Sequence, residues 1–434
     1  MQAGAPRRVL SLFDSTCLIV GIIVGAGIYQ TAPEVARGAG SVFGVLAIWT
    51  LGGVLSLCGA LGYAELAAAL PRAGGDAVYL SRAYGPWAGF LFGWLQVLVV
   101  RPGDIAVMSF AFATYARVWF GARAPAEPVL AIGAVVALTA VNLAGVRSGK
   151  WTQNVLTTAK VLGLLIVIGA ALAIPPATAP AATATPPEPF PLRIALILVL
   201  FTFGGWNEMA YVAGEVRDYR RNLARALILG TAAVTVLYLL ANIAFLGALG
   251  WHGVASSHAV AVDAVAGAWP AIGARIVAAL VCVSALGAVS GLIFAGARIA
   301  YAVGLEHRVF RPLGRWSDRT GTPVPALIVQ AVISIVLILA LRSFVETVLY
   351  TAAAVYLFYL ATSLSVIVLR RREPALERPF RVPGHPWPTV VFAGVCVFLI
   401  HAAVTYRPQG ALVVGGLMLL GAVVYRLEAS RGSP

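Results

Sequence analysis

The chain is a succession of long apolar stretches separated by short polar ones. A bilayer core takes about 20 mostly apolar residues per helix. Twelve stretches reach that length, near 12–36, 41–70, 85–120, 128–145, 152–174, 192–215, 223–249, 263–305, 325–341, 344–369, 388–406 and 410–427. The third and eighth exceed one crossing, which predicts tilt or a helical extension. The expected fold class is all-α and integral to the membrane, with twelve transmembrane helices. The run IPPATAPAATATPPEPFP after the fifth stretch cannot remain helical. Each proline removes a donor and clashes with the preceding turn, which predicts an extended surface loop.

Two of the twelve spans are interrupted near their middles. The first, CLIVGIIVGAGIYQTAPEVA, carries Gly21, Gly25 and Gly27; the sixth, ILVLFTFGGWNEMAYVAGEV, carries Gly204 and Gly205. Either cluster alone is explained by close helix packing at small residues. Together they head successive blocks of five spans, 12–174 and 192–369. Matched interruptions of that kind point to an inverted-repeat transporter with its site near the bilayer midplane. Unwinding a helix frees backbone N–H and C=O groups in a medium that penalises unpaired ones. A zwitterion satisfies both kinds: helix N-terminal amides favour a carboxylate, and exposed carbonyls face an ammonium. This favours an α-amino acid over a sugar or an inorganic ion. The domain reading is 1–11 cytoplasmic N-terminus, 12–174 first repeat, 175–191 proline-rich extracellular loop and 192–369 second repeat. It continues with 370–387 cytoplasmic loop, 388–427 spans eleven and twelve, and 428–434 cytoplasmic C-terminus.

Composition agrees. The 434 residues are 60% apolar and 11% charged, against about 45–50% and 25% in soluble domains, and the mean hydropathy is +0.89. A water-soluble enzyme, a disordered scaffold and a disulfide-stapled secreted domain are excluded. The net charge of +14 comes from 31 basic and 17 acidic residues. With the N-terminus inside, 22 basic residues fall on inner segments and 7 on outer ends, leaving Arg101 and Lys160 within the membrane. Such a bias places both termini in the cytoplasm and removes any need for a nucleic-acid partner. Cys17, Cys58, Cys282 and Cys396 lie in apolar stretches without CxxC spacing and read as packing residues. The basic N-terminus runs directly into a long span, so no cleaved signal peptide is expected.

Several strings, in order over most of the chain, resemble the amino acid–polyamine–organocation superfamily. The closest likeness is to the L-type amino acid transporters, the light chains of heteromeric transporters, in a bacterial-type form. They are VGAGIY in span one, YAELAAALPRAGGDAVYLSRAYGPWAGFLFGWLQ in spans two and three, and RPGD in span three. WTQNVLTTAK opens span five, and FTFGGWNEMAYVAGEVRDYRRNLARAL covers span six and beyond. LEHRVF, TGTPVPAL and RRREPALERPFRVP follow on cytoplasmic stretches. The resemblance implies the five-plus-five inverted-repeat, leucine-transporter-like fold with two further C-terminal helices. It implies an L-amino acid uniporter, exchanger or symporter working by alternating access.

By the same resemblance Ala26, Gly27 and Ile28 present N–H groups to the substrate carboxylate, and Ile23 and Gly25 face the amino end. Phe201, Thr202 and Phe203 offer carbonyls to the ammonium, and Gly204 leaves space. Phe201 matches the gating aromatic, and Trp206 and Asn207 support the pocket. Lys160 stands where sodium-coupled relatives hold sodium, hydrogen-bonding to carbonyls near Gly21–Val24, which implies sodium-independent transport. It lies about nine residues into span five, some 13 Å deep at about 1.5 Å per residue. The sequence departs from the family pattern at Gly214, where an acid precedes Glu215 in the family, and in lacking prolines after Arg217 and Leu223. FGARAPAEPV lacks the cysteine that tethers animal light chains, so no disulfide-linked heavy chain is expected. A monomer in the cell membrane, with the bilayer and an L-amino acid as its partners, fits this reading.

Ionisable residues at bilayer depth are functional candidates by default. Arg101 and Asp104 share a helical face and read first as a structural pair, with gating as the alternative. Glu208 follows GGWN directly: facing neighbouring helices it is structural, facing the pocket it favours a cationic substrate. Glu65 reads as an interfacial partner for a loop arginine. The interrupted segments 23–28 and 201–205 contain no acid, so a neutral L-amino acid is the expected substrate, carried by exchange or facilitated movement. The alternatives are a proton-coupled symporter and a carrier of cationic amino acids or polyamines. An intramembrane enzyme is disfavoured: HExxH, GxSxG and GxxxxGK[ST] are absent, and no cofactor or metal is expected.

Overall fold

The structure is a computed structural model that describes residues 10–71, 74–144, 150–173, 190–208, 216–267, 269 and 272–430. Sixteen α-helices and no β-strand occur among the described residues. The first interrupted stretch is α1 (Leu12–Ile23) and α2 (Gly27–Ala39), bent by 53° at the break. Ser11 and Asp14 form a reciprocal capping box at the start of α1. Gly40, with φ 68°, ends α2 and lets the chain turn into α3 (Val42–Ala69), capped by Ser41. A short α4 (Asp76–Tyr84) precedes the third long span.

That span is α5 (Pro86–Leu95), a π-helical turn at Gln96–Val100, and α6 (Arg101–Phe120). Pro102 cannot donate and would crowd a regular preceding turn. The widened turn relieves this, with Arg101 N–H reaching back to the Gln96 carbonyl. The remaining helices are α7 (Glu127–Leu143), α8 (Lys150–Leu172), α9 (Leu192–Thr202), α10 (Tyr219–Ser256), α11 (Val260–Val265) and α12 (Ile272–Glu306). They are followed by α13 (Val324–Leu341), α14 (Phe344–Arg372), α15 (Trp387–Tyr406) and α16 (Pro408–Ser430).

Eight helical segments among the described residues are long and apolar enough to cross a membrane, or nine with the bent α1–α2 pair. This establishes a multi-pass membrane protein. Three of the twelve predicted spans do not meet that test, and the first span meets it only as the bent pair. α7 has 17 residues, the apolar segment of α8 among the described residues is Thr158–Leu172, and α9 stops at Thr202. The sixth span continues as a single turn through Glu208, and 209–215, with Gly214 and Glu215, lies outside the described residues. So does most of the 175–191 loop. The stretch expected at 263–305 is divided, because α11 ends at Val265 and α12 starts at Ile272. α10 runs past its expected end at 249, kinked at Gly250, where φ is 67°.

Close approach at glycine holds the helices together, as expected where lipid is as apolar as the core. A Cβ at Gly52 would lie 2.2 Å from Val199 of α9, and one at Gly53 2.4 Å from Thr235 of α10. One at Gly103 would lie 2.2 Å from Thr351 of α14. At the end of the bundle holding α4, Arg370 donates to Glu65 at 2.7 and 2.5 Å, and Glu65 also accepts from Val382 N–H. Glu65 is thus a loop partner, as its position suggested. Arg82 grips Glu373 at 2.7 and 3.0 Å, and these hydrogen bonds hold the Glu373 carboxyl below its usual range.

Candidate functional site

Both helix breaks open onto one cavity of about 870 Å³. Its walls come from the two breaks and from α6, α8, α12 and α14. At the first break the last N–H of α1, that of Val24, reaches the Val20 carbonyl at 2.7 Å, and Val24 then turns extended. α2 restarts at Gly27 with no side chain capping it. At the second, Phe203 N–H bonds to Val199 O and Gly204 N–H turns back to Phe201 O at 2.9 Å. Gly205 follows with φ 110°. This backbone needs glycine twice over. A Cβ at Gly204 would sit 2.8 Å from the Phe201 oxygen, and one at Gly205 2.6 Å from Ile22 Cγ2.

The two breaks are tied to each other. Thr31 Oγ1 of α2 and Thr202 Oγ1 lie 3.0 Å apart, each within reach of a carbonyl one turn back, Gly27 and Leu198. Tyr238 of α10 is fully buried and donates to Ile23 O at 2.8 Å, with Thr202 O at 3.3 Å. One hydroxyl therefore spans the carbonyls that end both first half-helices. Its ring packs edge-on against Trp49 at 5.5 Å and Phe203 at 5.2 Å between centroids. Sequence reading missed this residue. The available signal was a tyrosine hydroxyl deep in an apolar span, which must find a partner. Tyr238→Phe keeps the ring but leaves the buried Ile23 carbonyl short of a donor. It is expected to lower stability by about 1–2 kcal/mol, read as a lower melting temperature in detergent, with slower uptake.

Of the residues singled out from sequence, Ile23, Gly25, Gly27, Phe201, Thr202, Gly204 and Asn207 line the cavity. Ala26, Ile28, Phe203 and Trp206 are buried behind it. Trp206 stacks edge-on against Tyr63 at 4.9 Å and lies 5.3 Å from Tyr359. Tyr359 of α14 donates to Asn207 Oδ1 at 3.1 Å, so the Trp-Asn pair is braced from α14. Phe201 meets Phe344 edge-on at 6.0 Å.

The charged residues fall out differently. Arg101 Nη2 lies 2.6 Å from Glu208 Oε1, so the arginine pairs across to the second break; Asp104, one turn along α6, lines the same cavity. Lys160 also lines it, against Gly287 of α12, where an added Cβ would lie 4.0 Å from Nζ. Among the described residues its ammonium makes no hydrogen bond to the Gly21–Val24 carbonyls. Toward the start of α1 the cavity reaches Leu10 and Asp14. There Leu10 O accepts from Arg217 N–H at 2.8 Å, joining the chain before the first break to the chain after the second.

The sequence pattern of amino acid permeases matches residues 10–425. The chain belongs to the amino acid permease family. The permease is similar to the b(0,+)-type amino acid transporter 1 of Mus musculus, 32% identical over 439 residues covering 98% of this chain and 88% of that protein. It is 33% identical to the Asc-type amino acid transporter 1 of Homo sapiens over 402 residues, 87% of this chain and 75% of that one. Against the large neutral amino acids transporter small subunit 2 of Mus musculus it is 31% identical over 439 residues, 98% and 81% of the two chains. The permease is a transporter of amino acids and not an enzyme.

Proposed function

We propose that this permease carries neutral L-amino acids across the cell membrane by alternating access, without sodium, as an exchanger or facilitated carrier. The observation that supports this best is the meeting of two unwound segments on one cavity. Gly25 and Gly27 bring the uncapped start of α2 to the cavity wall, facing Phe201, Thr202 and Gly204. The amide-rich start of α2 suits a carboxylate and the carbonyl-rich end of α9 an ammonium. Phe201 stands beside this backbone as the gate, and Asn207 shapes the side-chain end. The cavity reaches Asp14 while Thr31, Thr202 and the Phe201–Phe344 contact bind α2, α9 and α14 together, the arrangement of a carrier open on one side.

In this reading the full count is twelve spans, with α7, α8 and the α9 segment completing the set. Spans one to five and six to ten form the two inverted repeats, and α15 and α16 follow. Both ends lie in the cytoplasm, where the arginine-rich segments collect. The outer segment FGARAPAEPV carries no cysteine, and the four cysteines lie within α1, α3, α12 and α15, so we assign no disulfide-linked subunit. Counterflow into proteoliposomes, screened over all amino acids, tests the assignment. Neutral L-amino acids are expected to exchange, with arginine competing less well than leucine or alanine. Arginine competing at lower concentration than leucine would overturn the neutral class.

A further inference from the structure

Four ionisable side chains line the cavity at membrane depth: Arg101, Asp104, Lys160 and Glu208. Recognition of the amino acid backbone uses none of the first two nor Glu208. Two further acids, Asp14 and Asp76, line the cavity nearer its end and are engaged. Asp14 accepts from Ser11, and Asp76 from Thr362 at 2.7 Å and from Tyr63. At depth, two cations stand against two carboxylates, and that part of the wall is formally neutral.

The pairing inside that wall is specific. Arg101 is 5% exposed, and its guanidinium meets Glu208, whose side chain is 24% exposed and faces the cavity. The partners are 107 residues apart, so the contact joins α6 to the second break. Arg101 has little freedom. It follows the π-helical turn that Pro102 requires, and its Cβ lies 3.3 Å from where a Cβ on Gly296 of α12 would stand. Glu208 is the acid next to the substrate-binding backbone, and it is already matched by a charge the scaffold holds in place.

A lysine or arginine substrate entering here would leave water and meet a wall whose cations already match its carboxylates. Its desolvation would not be offset, and Arg101 would repel it. A neutral side chain would meet no such penalty. Excluding a competitor by an unfavourable charge is a standard route to specificity. We propose that Arg101 is a specificity-determining residue: by occupying Glu208 it keeps the wall beside the two breaks neutral and excludes cationic amino acids. This rests on the neutral amino acid reading above.

The test uses the purified full-length permease in leucine-loaded proteoliposomes. It compares inhibition of leucine counterflow by lysine and by norleucine, which differ by the ammonium group. Glutamate and glutamine form the acidic counterpart. In the wild type lysine is expected to inhibit far more weakly than norleucine. Arg101→Gln should shrink that gap by about tenfold or more, because it leaves an unmatched carboxylate in low dielectric. Arg101→Lys should keep the wild-type gap. Glu208→Gln should shift the balance the other way, with glutamate gaining on glutamine. The double variant Arg101→Gln/Glu208→Gln should return to the wild-type gap, since the wall is neutral again. A merely structural Arg101 would lower all inhibitors together and leave the ratios unmoved. An unchanged lysine-to-norleucine ratio in Arg101→Gln, or a double variant as cation-tolerant as the single, overturns the proposal. Should Arg101→Gln not reach the membrane, Glu208→Gln decides: no relative gain by glutamate overturns it. Absence of leucine counterflow in the wild type would instead remove the transport reading on which the proposal stands.

Discussion

Alanine at Gly205 abolishes uptake while the protein still inserts and purifies: this is the expected result of the smallest change at the second break. Gly205 has φ 110°, a region where an L side chain is strained by about 1–3 kcal/mol. The added Cβ would also lie 2.6 Å from Ile22 Cγ2, just before the first break. Overpacking of that kind costs about 1–3 kcal/mol more and is relieved only by moving the two breaks apart. Gly27→Val tests the same idea from the other side. Its Cβ would meet Thr202 at 3.4–3.5 Å, and two further methyls must find room where α2 meets α9. Gly25 is the contrast, since a Cβ there meets only Ile23 O at 3.9 Å. Gly25→Ala is expected to fold like the wild type and lose uptake solely by filling ligand space. The check is uptake into proteoliposomes beside size-exclusion profiles in detergent. Near-normal uptake by Gly205→Ala or Gly27→Val would remove the breaks from the binding site.

Lys160→Ala is expected to reduce uptake at least about tenfold, equivalent to ~1.4 kcal/mol in the transport barrier. Replacing sodium by choline is expected to change nothing in the wild type. The ammonium sits on α8 at a depth where an unpaired charge is costly, so its contacts are made in the bundle or with the water of the cavity. α8 packs against α1 and α12, and Lys160 lies against Gly287 where both line the cavity. In the proposed reading, a fixed cation between the first broken helix and the scaffold takes the role of a bound sodium. Strict sodium dependence in the wild type, or an unimpaired Lys160→Ala, would end this role.

Features that depend on a few contiguous residues are legible in the chain alone. Stretch length marks most of the segments that are helical and apolar enough for the bilayer. Ser11 and Asp14 fix the start of α1, and Gly25, Gly27, Gly204 and Gly205 cluster where the backbone leaves the helix, with Gly205 at a φ of 110° that strains any side chain. Pro102 likewise marks the distorted turn in the third span. Which side chains meet depends on how the helices pack. Helices apolar on every side carry little periodic signal for which face turns to lipid and which to neighbours. Ala26, Ile28, Phe203 and Trp206 therefore could not be told apart from the cavity-lining Gly27, Phe201 and Asn207, though they lie behind the wall. The choice of Glu208 by Arg101, and of the Ile23 carbonyl by Tyr238, joins residues 107 and 215 positions apart. Such partners are selected by helix packing, where a buried polar group takes whichever counterpart the fold brings within reach.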